Sequence, residues 1–318
     1  MIHTRDLTRS FTTKSGTVQA VRGLNLDVEA GELVAFLGPN GAGKSTSLRM
    51  LTTLLAPTSG SATVAGHDVV ADPHGVRRRI GYVGQGHGAG YGQRLGEELV
   101  TQGRLYGLTR AEARTRAARL MADLELEGLE KRHTSQLSGG QRRRLDIAMG
   151  LIHRPDLLFL DEPSTGLDPH SRANLWAHIA RLRDDYGTTI FLTTHYLDEA
   201  DTTAERVVVI DHGTVIADGT PDDLKGKVAG DLVTLETASE GDARQAAEAV
   251  AAFAAGGSLD TSGPTVRLRV DRGDSALPQI LRAADARGLE LRTVQVQRPS
   301  LDDVFLTLTG RSLRESAA

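Results

Sequence analysis

The chain has 318 residues, of which 39% are hydrophobic and 25% are charged, which is ordinary for a globular protein. This length suits one large domain and one smaller domain, each with its own hydrophobic core. The formal net charge of −4 argues against a broad basic surface for nucleic acid, and the lack of cysteine excludes disulfide bonds and cysteine-ligated metals.

No stretch of the sequence predicts a membrane segment. The first ten residues, MIHTRDLTRS, lack the apolar core of a signal peptide. The apolar runs at 157–160 and 207–210 have the length of buried strands, whereas a spanning helix needs about 20 residues. We therefore expect no direct membrane span, so any role at a membrane requires a partner protein.

Short strands alternate with helices along most of the chain, a pattern that predicts a parallel α/β sheet. The predicted elements are strands at 17–21, 24–28 and 32–37, a helix at 46–55, a hairpin at 61–70, a strand at 80–83, helices at 96–106 and 109–126, a helix opening at Ser138, a strand at 157–160, a helix at 171–186, and strands at 189–193 and 207–211. Thr109 and Glu112 fit a capping box at the start of their helix.

The alternation is interrupted once and then restarts. Residues of about 86–150 contain only helical patterns, which predicts a helical subdomain inserted into the first domain, 1–222. A boundary near 219–230 separates this domain from a second one, 223–318, whose βαββαβ order suggests a small α+β ferredoxin-like module. Its predicted elements are strand 231–237, helix 242–255, strands 258–261 and 265–270, helix 274–287, strand 289–297, and a terminal helix that packs on the module or on the first domain.

The sequence GPNGAGKST matches the phosphate-loop pattern in full and lies between a predicted strand and a predicted helix. In this context glycines let backbone N–H groups turn inward around phosphates at a helix N-terminus, which a chance match to a turn would not explain. We expect Lys44 to reach the β- and γ-phosphates, Ser45 to bind Mg²⁺ and Thr46 to donate to phosphate. The residues predicted to bind a nucleotide here are Gly38, Pro39, Asn40, Gly41, Ala42, Gly43, Lys44, Ser45 and Thr46.

Two carboxylates end the apolar run LLFLDE. Asp161 is suited to Mg²⁺, and Glu162 is suited to act as a general base or to orient water beside the γ-phosphate. A buried strand ending in two solvated acids is the alternative, which the upstream phosphate loop and the following Pro163 make a poor explanation.

Three further positions are candidates for the same site. His195 follows a predicted strand, where side chains of an α/β sheet point into a ligand crevice, and we expect it to bond the γ-phosphate and the attacking water. The amide of Gln85 can contact Mg²⁺ or water, with a plain surface role as the alternative. Phe11, shortly before Val18, can stack on adenine, although a role in the core is the alternative.

Two kinds of residue cluster remain. The arginine runs at 77–79 and 142–144 are expected to be solvated helix faces, because no aromatic residues are interleaved with them. The stretch 81–92 contains six glycines and His87. We interpret it as a flexible loop, with metal binding at His87 as the alternative.

These motifs together resemble the nucleotide-binding subunits of ABC transporters, over residues 1 to about 220. GPNGAGKST resembles the Walker A motif, Gln85 the Q-loop, LSGGQ the signature, LLFLDE the Walker B motif, STGLD the D-loop and His195 the switch histidine. The resemblance implies an ATPase with a P-loop NTPase (RecA-like) fold that uses ATP and Mg²⁺ and dimerises head to tail. Ser138, Gly139, Gly140 and Gln141 of one subunit would then contact the ATP held by Lys44 of the other, with Asp168 at the interface.

The whole chain further resembles the daunorubicin/doxorubicin-resistance ATP-binding subfamily, through RRRLDIAMGL, TTHYLDEAD and the final RPSLDDVFLTLTGR. This resemblance implies a homodimer that powers efflux of a hydrophobic small molecule through a separate integral membrane permease, at the cytoplasmic face of the cell membrane. Gly84 departs from the family, which commonly has proline there.

Three alternatives to drug efflux remain open at this point. The first is an ABC-type ATPase associated with nucleic acid or ribosomes, although such proteins usually carry two ATPase domains or long coiled coils. The second is export of a glycoconjugate or lipid. The third is a resistance protein whose C-terminal module binds the toxic compound directly.

Overall fold

The computed structural model describes residues 1–14, 16–226, 230–255 and 258–310 of the chain. These residues form two compact units, of which the first ends at Thr220 and the second begins at Pro221. The division falls inside the predicted boundary region, whose residues 227–229 lie outside the described residues.

The first unit contains ten strands and seven α-helices among its described residues. In chain order they are β1 (Ile2–Thr13), β2 (Gly16–Val28), β3 (Leu33–Leu37), α1 (Lys44–Leu51), β4 (Ser59–Val64), β5 (His67–Asp68), α2 (Pro73–Arg79), β6 (Ile80–Val83), α3 (Leu95–Leu105), α4 (Arg110–Asp123), α5 (Gly139–Leu151), β7 (Leu157–Asp161), α6 (Pro169–Tyr186), β8 (Thr189–Thr194), α7 (Leu197–Thr203), β9 (Arg206–Asp211) and β10 (Thr214–Gly219).

The central sheet has six strands in the order β10-β9-β3-β8-β7-β6. All neighbouring strands are parallel except β10, which pairs antiparallel with β9. Every residue of β3, β7 and β8 is buried, as expected for the inner strands of a sheet covered on both faces. The predicted parallel α/β sheet is therefore confirmed.

A second, antiparallel sheet has the order β2-β1-β4-β5. Strand β1 is absent from the sequence prediction, because its irregular burial pattern lacks strict alternation. The two strands predicted at 17–21 and 24–28 form the single strand β2. Irregularities in the pairing of β1 with β2 allow the strand to continue through Gly23, whose φ is +65°.

One hydrophobic cluster joins the two sheets. It combines Ile2 and Leu24 of the antiparallel sheet with three phenylalanines of the central sheet. The ring centroids of Phe36 and Phe159 lie 5.5 and 5.7 Å from that of Phe191. Helix α1 contributes Leu48, Met50 and Leu51 to this cluster, so the main core fixes the position of the helix.

Helices α3, α4 and α5 lie between β6 and β7 in sequence, and no strand of the sheets occurs between them. The capping box predicted at Thr109 is confirmed, since its side chain accepts from the backbone N–H of Glu112 while the Glu112 carboxylate accepts from the backbone N–H of Thr109. Ser138 forms a second capping box, with Gln141, at the start of α5.

The second unit confirms the predicted ferredoxin-like topology. Its elements are α8 (Pro221–Gly226), β11 (Asp231–Thr237), α9 (Glu240–Val250), β12 (Leu259–Ser262), β13 (Thr265–Val270), α10 (Gly273–Asp285), β14 (Leu291–Gln297) and α11 (Leu301–Thr309). The strand order is β12-β13-β11-β14, and all pairs are antiparallel. Its core contains Val233 and Leu268, and α11 packs against α8.

Among the residues that the structure describes, no helix is both long enough and apolar enough to cross a membrane.

Candidate active site

The phosphate loop connects β3 to α1 in a conformation that only glycine permits at two positions. Gly43 has φ +105°, and a Cβ atom there would lie 2.4 Å from the carbonyl oxygen of Ala20. A Cβ atom at Gly38 would lie 2.3 Å from the carbonyl oxygen of Ile210. Both distances are far below van der Waals contact, so larger residues would displace the loop. The glycines therefore fix the path of the backbone immediately before Lys44.

Lys44 is a buried cation at the first position of α1, with 4% of its surface exposed. Its Nζ donates to the carbonyl oxygens of Gly38 and Pro39 at 2.7 and 3.1 Å and lies 3.5 Å from Oε1 of Glu162. Burial lowers the pKa of Lys44, whereas the carboxylates of Glu162 and Asp161 act in the opposite direction. The ammonium group is thus held inside the loop by oxygen atoms.

Asp161 ends β7 with 1% of its surface exposed and accepts two hydroxyl donors. Oδ1 accepts from Ser45 Oγ at 3.1 Å and from Thr193 Oγ1 at 2.7 Å. Gln85 Nε2 donates to the same Ser45 Oγ at 3.3 Å. The structure therefore brings the three predicted Mg²⁺ residues together, and hydroxyl, carboxylate and amide oxygens are the ligand types that Mg²⁺ prefers.

Glu162 lies between Lys44 and His195. Its Oε2 atom is 3.3 Å from Nδ1 of His195 and accepts from Thr165 Oγ1 at 3.3 Å. Its backbone has φ +46°, a left-handed conformation that is uncommon for a residue other than glycine. The Glu162 N–H donates to Thr193 Oγ1 at 3.0 Å, which helps to hold this conformation. Lys44, Ser45, Gln85, Asp161, Glu162 and His195 accordingly form one cluster.

The signature residues lie at the start of α5 and form their own hydrogen bonds. Gln141 N donates to Ser138 Oγ at 3.2 Å, and Ser138 N donates to Gln141 Oε1 at 3.1 Å. Among the described residues no hydrogen bond joins this segment to Lys44, Ser45 or Glu162. A cavity of about 250 Å³ borders the segment and includes Ser138, Gly140 and Gln141 in its lining. One chain therefore carries two separate groups of predicted nucleotide-binding residues.

Asp168 is connected to the signature segment by Ser171, which bonds Asp168 and lies beside Gly140. Its carboxylate caps α6 by accepting from Ser171 N at 2.9 Å and from Ser171 Oγ at 2.6 Å. These bonds, with that of the side chain first, lower the pKa of Asp168. A Cβ atom at Gly140 would lie 3.1 Å from Ser171 Oγ. Asp168 thus orders the surface beside Gly140 as well as starting its own helix.

Phe11 and Val18 lie directly opposite each other in the hairpin of β1 and β2. Side chains in opposite positions of an antiparallel pair share one face of the sheet. Val18 is 52% exposed, and the guanidinium carbon of Arg9 lies 4.7 Å from the centroid of the Phe11 ring. The two residues form an accessible apolar surface supported by Arg9, and neither belongs to the hydrophobic core.

Two regions match known protein families. Residues 21–165 match the family described as ABC transporter, and residues 219–309 match the C-terminal domain of DrrA1-3-like ATP-binding proteins. The chain is 46% identical to the daunorubicin/doxorubicin resistance ATP-binding protein DrrA of Streptomyces peucetius, over 94% of this chain and 92% of that protein. The chain belongs to this family of ABC ATP-binding proteins. It is an ABC-type ATPase, and ATP is its nucleotide.

Two further comparisons agree with this assignment. The ABC ATPase is 34% identical to the linearmycin resistance ATP-binding protein LnrL of Bacillus subtilis, over 94% of this chain and 96% of that protein. Its structure also resembles a solved dimeric ATP-binding cassette in a post-hydrolysis state with ADP and Pi, at a TM-score of 0.63 and 26% identity. That match covers 69% of this chain and 98% of the other.

Sequence reasoning missed two residues of the ABC ATPase that touch the candidate site. Thr193 lies opposite Asp161 in the pairing of β7 and β8. Its position two residues before His195 could have identified it as a site residue from the sequence. Arg143 was expected on a solvated face, but the structure shows it 4% exposed. This expectation was wrong for Arg143 because that position of α5 faces the strand ends. The run at 77–79 is exposed, as expected.

In the glycine-rich loop after Gln85, polar contacts anchor the chain at several points. His87 Nδ1 lies 3.0 Å from Asp146 Oδ2, and Gly88 N donates to Asp146 Oδ1 at 3.0 Å. Further along, Gly90 N donates to Glu98 Oε1 at 3.1 Å, and Thr134 Oγ1 donates to the Gly90 carbonyl at 2.6 Å. Glycine composition alone did not predict these anchors.

Proposed function

We propose that this ABC ATPase powers the export of a hydrophobic small molecule, such as an antibiotic, through a separate membrane subunit. The observation that carries the proposal is the similarity, over nearly the whole chain, to ATP-binding proteins that are named for drug resistance. The finding that no described helix could cross a membrane supports a separate permease. The ATPase would then work at the cytoplasmic face of the cell membrane, held there by that permease.

For the hydrolysis step, the geometry supports specific roles around the ATP phosphates. The backbone of residues 38–43 and the side chains of Lys44 and Thr46 would bind phosphate, and Phe11 with Val18 would contact adenine. Ser45, Asp161 and Gln85 would hold Mg²⁺, which supplies charge neutralisation at the phosphates. Glu162 would accept a proton from the attacking water, and His195 would orient that water and the γ-phosphate.

The separation of the two residue groups supports a dimer as the active state. Ser138, Gly139, Gly140 and Gln141 are not bonded to Lys44 of the same chain, but a helix N-terminus with two glycines can bind an anion. In a head-to-tail dimer this segment would meet the γ-phosphate held by the partner subunit, with Asp168 at the interface. ATP would close the dimer, and hydrolysis would reopen it and move the permease.

The substitution Glu162→Gln tests both the chemistry and the export function. It removes the proton acceptor but preserves side-chain size, so we expect ATP turnover to be abolished while an ATP-bound dimer accumulates. ATPase assays and size-exclusion chromatography with ATP measure these two effects. In cells that also produce the permease, the same variant should lose resistance to lipophilic antibiotics.

Glu127→Gln is the matched control, because Glu127 is exposed and lies outside the candidate site. It should hydrolyse ATP and support resistance like the unmodified chain. Normal hydrolysis by the Glu162 variant would contradict the assigned role of Glu162. Loss of hydrolysis in this variant without any change in drug susceptibility would instead contradict drug export and favour another cargo.

A further inference from the structure

The buried face of α5 carries two charged residues one helical turn apart, Arg143 and Asp146. They are 4% and 5% exposed, whereas charged side chains are rarely buried without several polar partners. The residues lie on the helix that begins at the signature segment. Their partners, however, are Asp161 and close sequence neighbours of Gln85 and Glu162, which belong to the other group of predicted nucleotide-binding residues.

Arg143 bonds three backbone carbonyl groups through three different nitrogen atoms. Nη1 donates to Gly84 at 2.6 Å, Nε to Pro163 at 2.7 Å and Nη2 to Asp161 at 3.2 Å. The carbonyls of Asp161 and Pro163 flank Glu162, whose own backbone is in the left-handed conformation. A planar guanidinium can bridge these acceptors at once because its donors point in fixed directions.

Asp146 holds the other side of the Gln85 loop. Its two carboxylate oxygens lie 3.0 Å from Gly88 N and from His87 Nδ1. Gln85 is therefore bracketed, with Arg143 bonded to the residue before it and Asp146 bonded two and three residues after it. Both anchors belong to the same helix, so a shift of the Gln85 backbone relative to α5 would strain or break these partly buried contacts.

We propose that Arg143 and Asp146 are positioning residues that tie Gln85 and Glu162 of one ATP site to the helix serving the other site of the dimer. When Ser138–Gly140 binds the partner's ATP, the N-terminus of α5 would move. The hydrogen bonds of Arg143 and Asp146 would transmit this movement to Gln85 and Glu162. The proposal rests on the dimeric mechanism proposed above. It gives the two sites a direct physical connection, from which we expect cooperative hydrolysis of ATP.

Arg143→Lys is the principal test, performed on the full-length protein with Mg²⁺ and ATP. Lysine keeps the charge but cannot bridge three carbonyls in fixed directions. We expect kcat to fall about 10- to 100-fold because Glu162 and Gln85 are displaced, while KM for ATP changes by less than about threefold. The Hill coefficient for ATP should fall toward about 1 as the sites lose their connection.

Asp146→Asn supplies a second variant in case Arg143→Lys does not fold. It should also lower cooperativity, and in both variants ATP should no longer slow amide hydrogen exchange in a peptide spanning residues 84–92. Arg183→Lys is the matched control, since Arg183 also donates to a carbonyl group, that of Gly31, away from the candidate site. It should retain the kcat and Hill coefficient of the unmodified protein.

The results separate this inference from the proposed function. If Glu162→Gln is inactive but Arg143→Lys and Asp146→Asn keep normal kcat, cooperativity and ATP-dependent exchange, the positioning role is wrong and the mechanism stands. Equal losses in Arg183→Lys would also overturn the positioning role, because they would show a general effect of removing an arginine bond. Normal hydrolysis by Glu162→Gln would instead contradict the mechanism itself.

Discussion

Lys44 shows how burial changes the chemistry of a single residue. Isolated in the core, an ammonium group would be strongly destabilising, but here two loop carbonyls and the carboxylate of Glu162 surround it. The phosphate-loop pattern predicted that Lys44 binds phosphate. The structure adds that Lys44 is held beside Glu162 and also interacts electrostatically with Asp161.

Tyr186 offers a prediction about pH at the scale of one residue. Its hydroxyl donates to Asp123 Oδ2 at 2.6 Å, and burial, followed by this bond, raises the pKa of Tyr186 to about 12. Because the folded pKa exceeds the ordinary value of 10.0, the neutral hydroxyl stabilises the folded state. This contribution is complete below the ordinary pKa and is lost as the pH rises through the folded value.

We therefore expect Tyr186→Phe to lower the free energy of unfolding by about 1 kcal/mol near neutral pH. The difference between the variant and the unmodified protein should shrink above about pH 10, as the unfolded tyrosine ionises first. Urea unfolding curves at several pH values measure the difference. A constant difference across the alkaline range would contradict the role given to the hydroxyl.

At the scale of elements, helix caps were more predictable than helix lengths. The Thr109 capping box follows from residue types three positions apart, and it needs no tertiary contact. The helix predicted at 242–255, in contrast, ends at Val250. An alanine-rich segment continues the helical pattern beyond this point, so its sequence carried no stop signal.

Thr109→Ala should destabilise α4 without affecting the candidate site. Loss of the hydroxyl leaves the backbone N–H of Glu112 without its capping acceptor, and we expect a cost of about 1 kcal/mol. The urea midpoint for unfolding of the first unit reports this loss, while kcat for ATP should remain unchanged. Thr109→Ser, which preserves the hydroxyl, should restore stability, and failure to do so would argue against the capping role.

At the scale of the whole molecule, the two units have independent hydrophobic cores. The main cluster of the first unit uses residues between Ile2 and Ile210, and the cluster of the second uses residues between Val233 and Leu289. Separate cores are the physical requirement for separate folding. We propose that the second unit supports dimer contacts or regulation and does not bind the drug itself.

A chain truncated after residue 222 should therefore fold and bind ATP, but its ATP-dependent dimerisation should be weaker. Circular dichroism, a fluorescent ATP analogue and analytical ultracentrifugation measure the three properties. The isolated module should show no equilibrium binding of anthracycline. Unchanged dimerisation, stability and transport after truncation would contradict a supporting role for the module.

The sequence by itself determined the phosphate loop, the alternation of strands and helices along the central sheet and the ferredoxin-like pattern, and it predicted most residues of the candidate site. These features depend on short patterns, such as glycine spacing, alternation and residue types at strand ends, which can be read within a few residues. The resemblance to ABC transporter subunits, in turn, implied that Ser138–Gln141 and Lys44 of one chain serve different ATP sites of a dimer.

Only the tertiary structure decided which polar residues connect these groups. Arg143 looked like part of an exposed arginine run, and the loop after Gln85 looked flexible, because local composition does not show what packs against it. Burial of α5 on the strand ends brings Arg143 and Asp146 to carbonyl and amide groups that are distant in sequence. Buried charges must find such partners, and those partners are fixed by the packing of the folded chain.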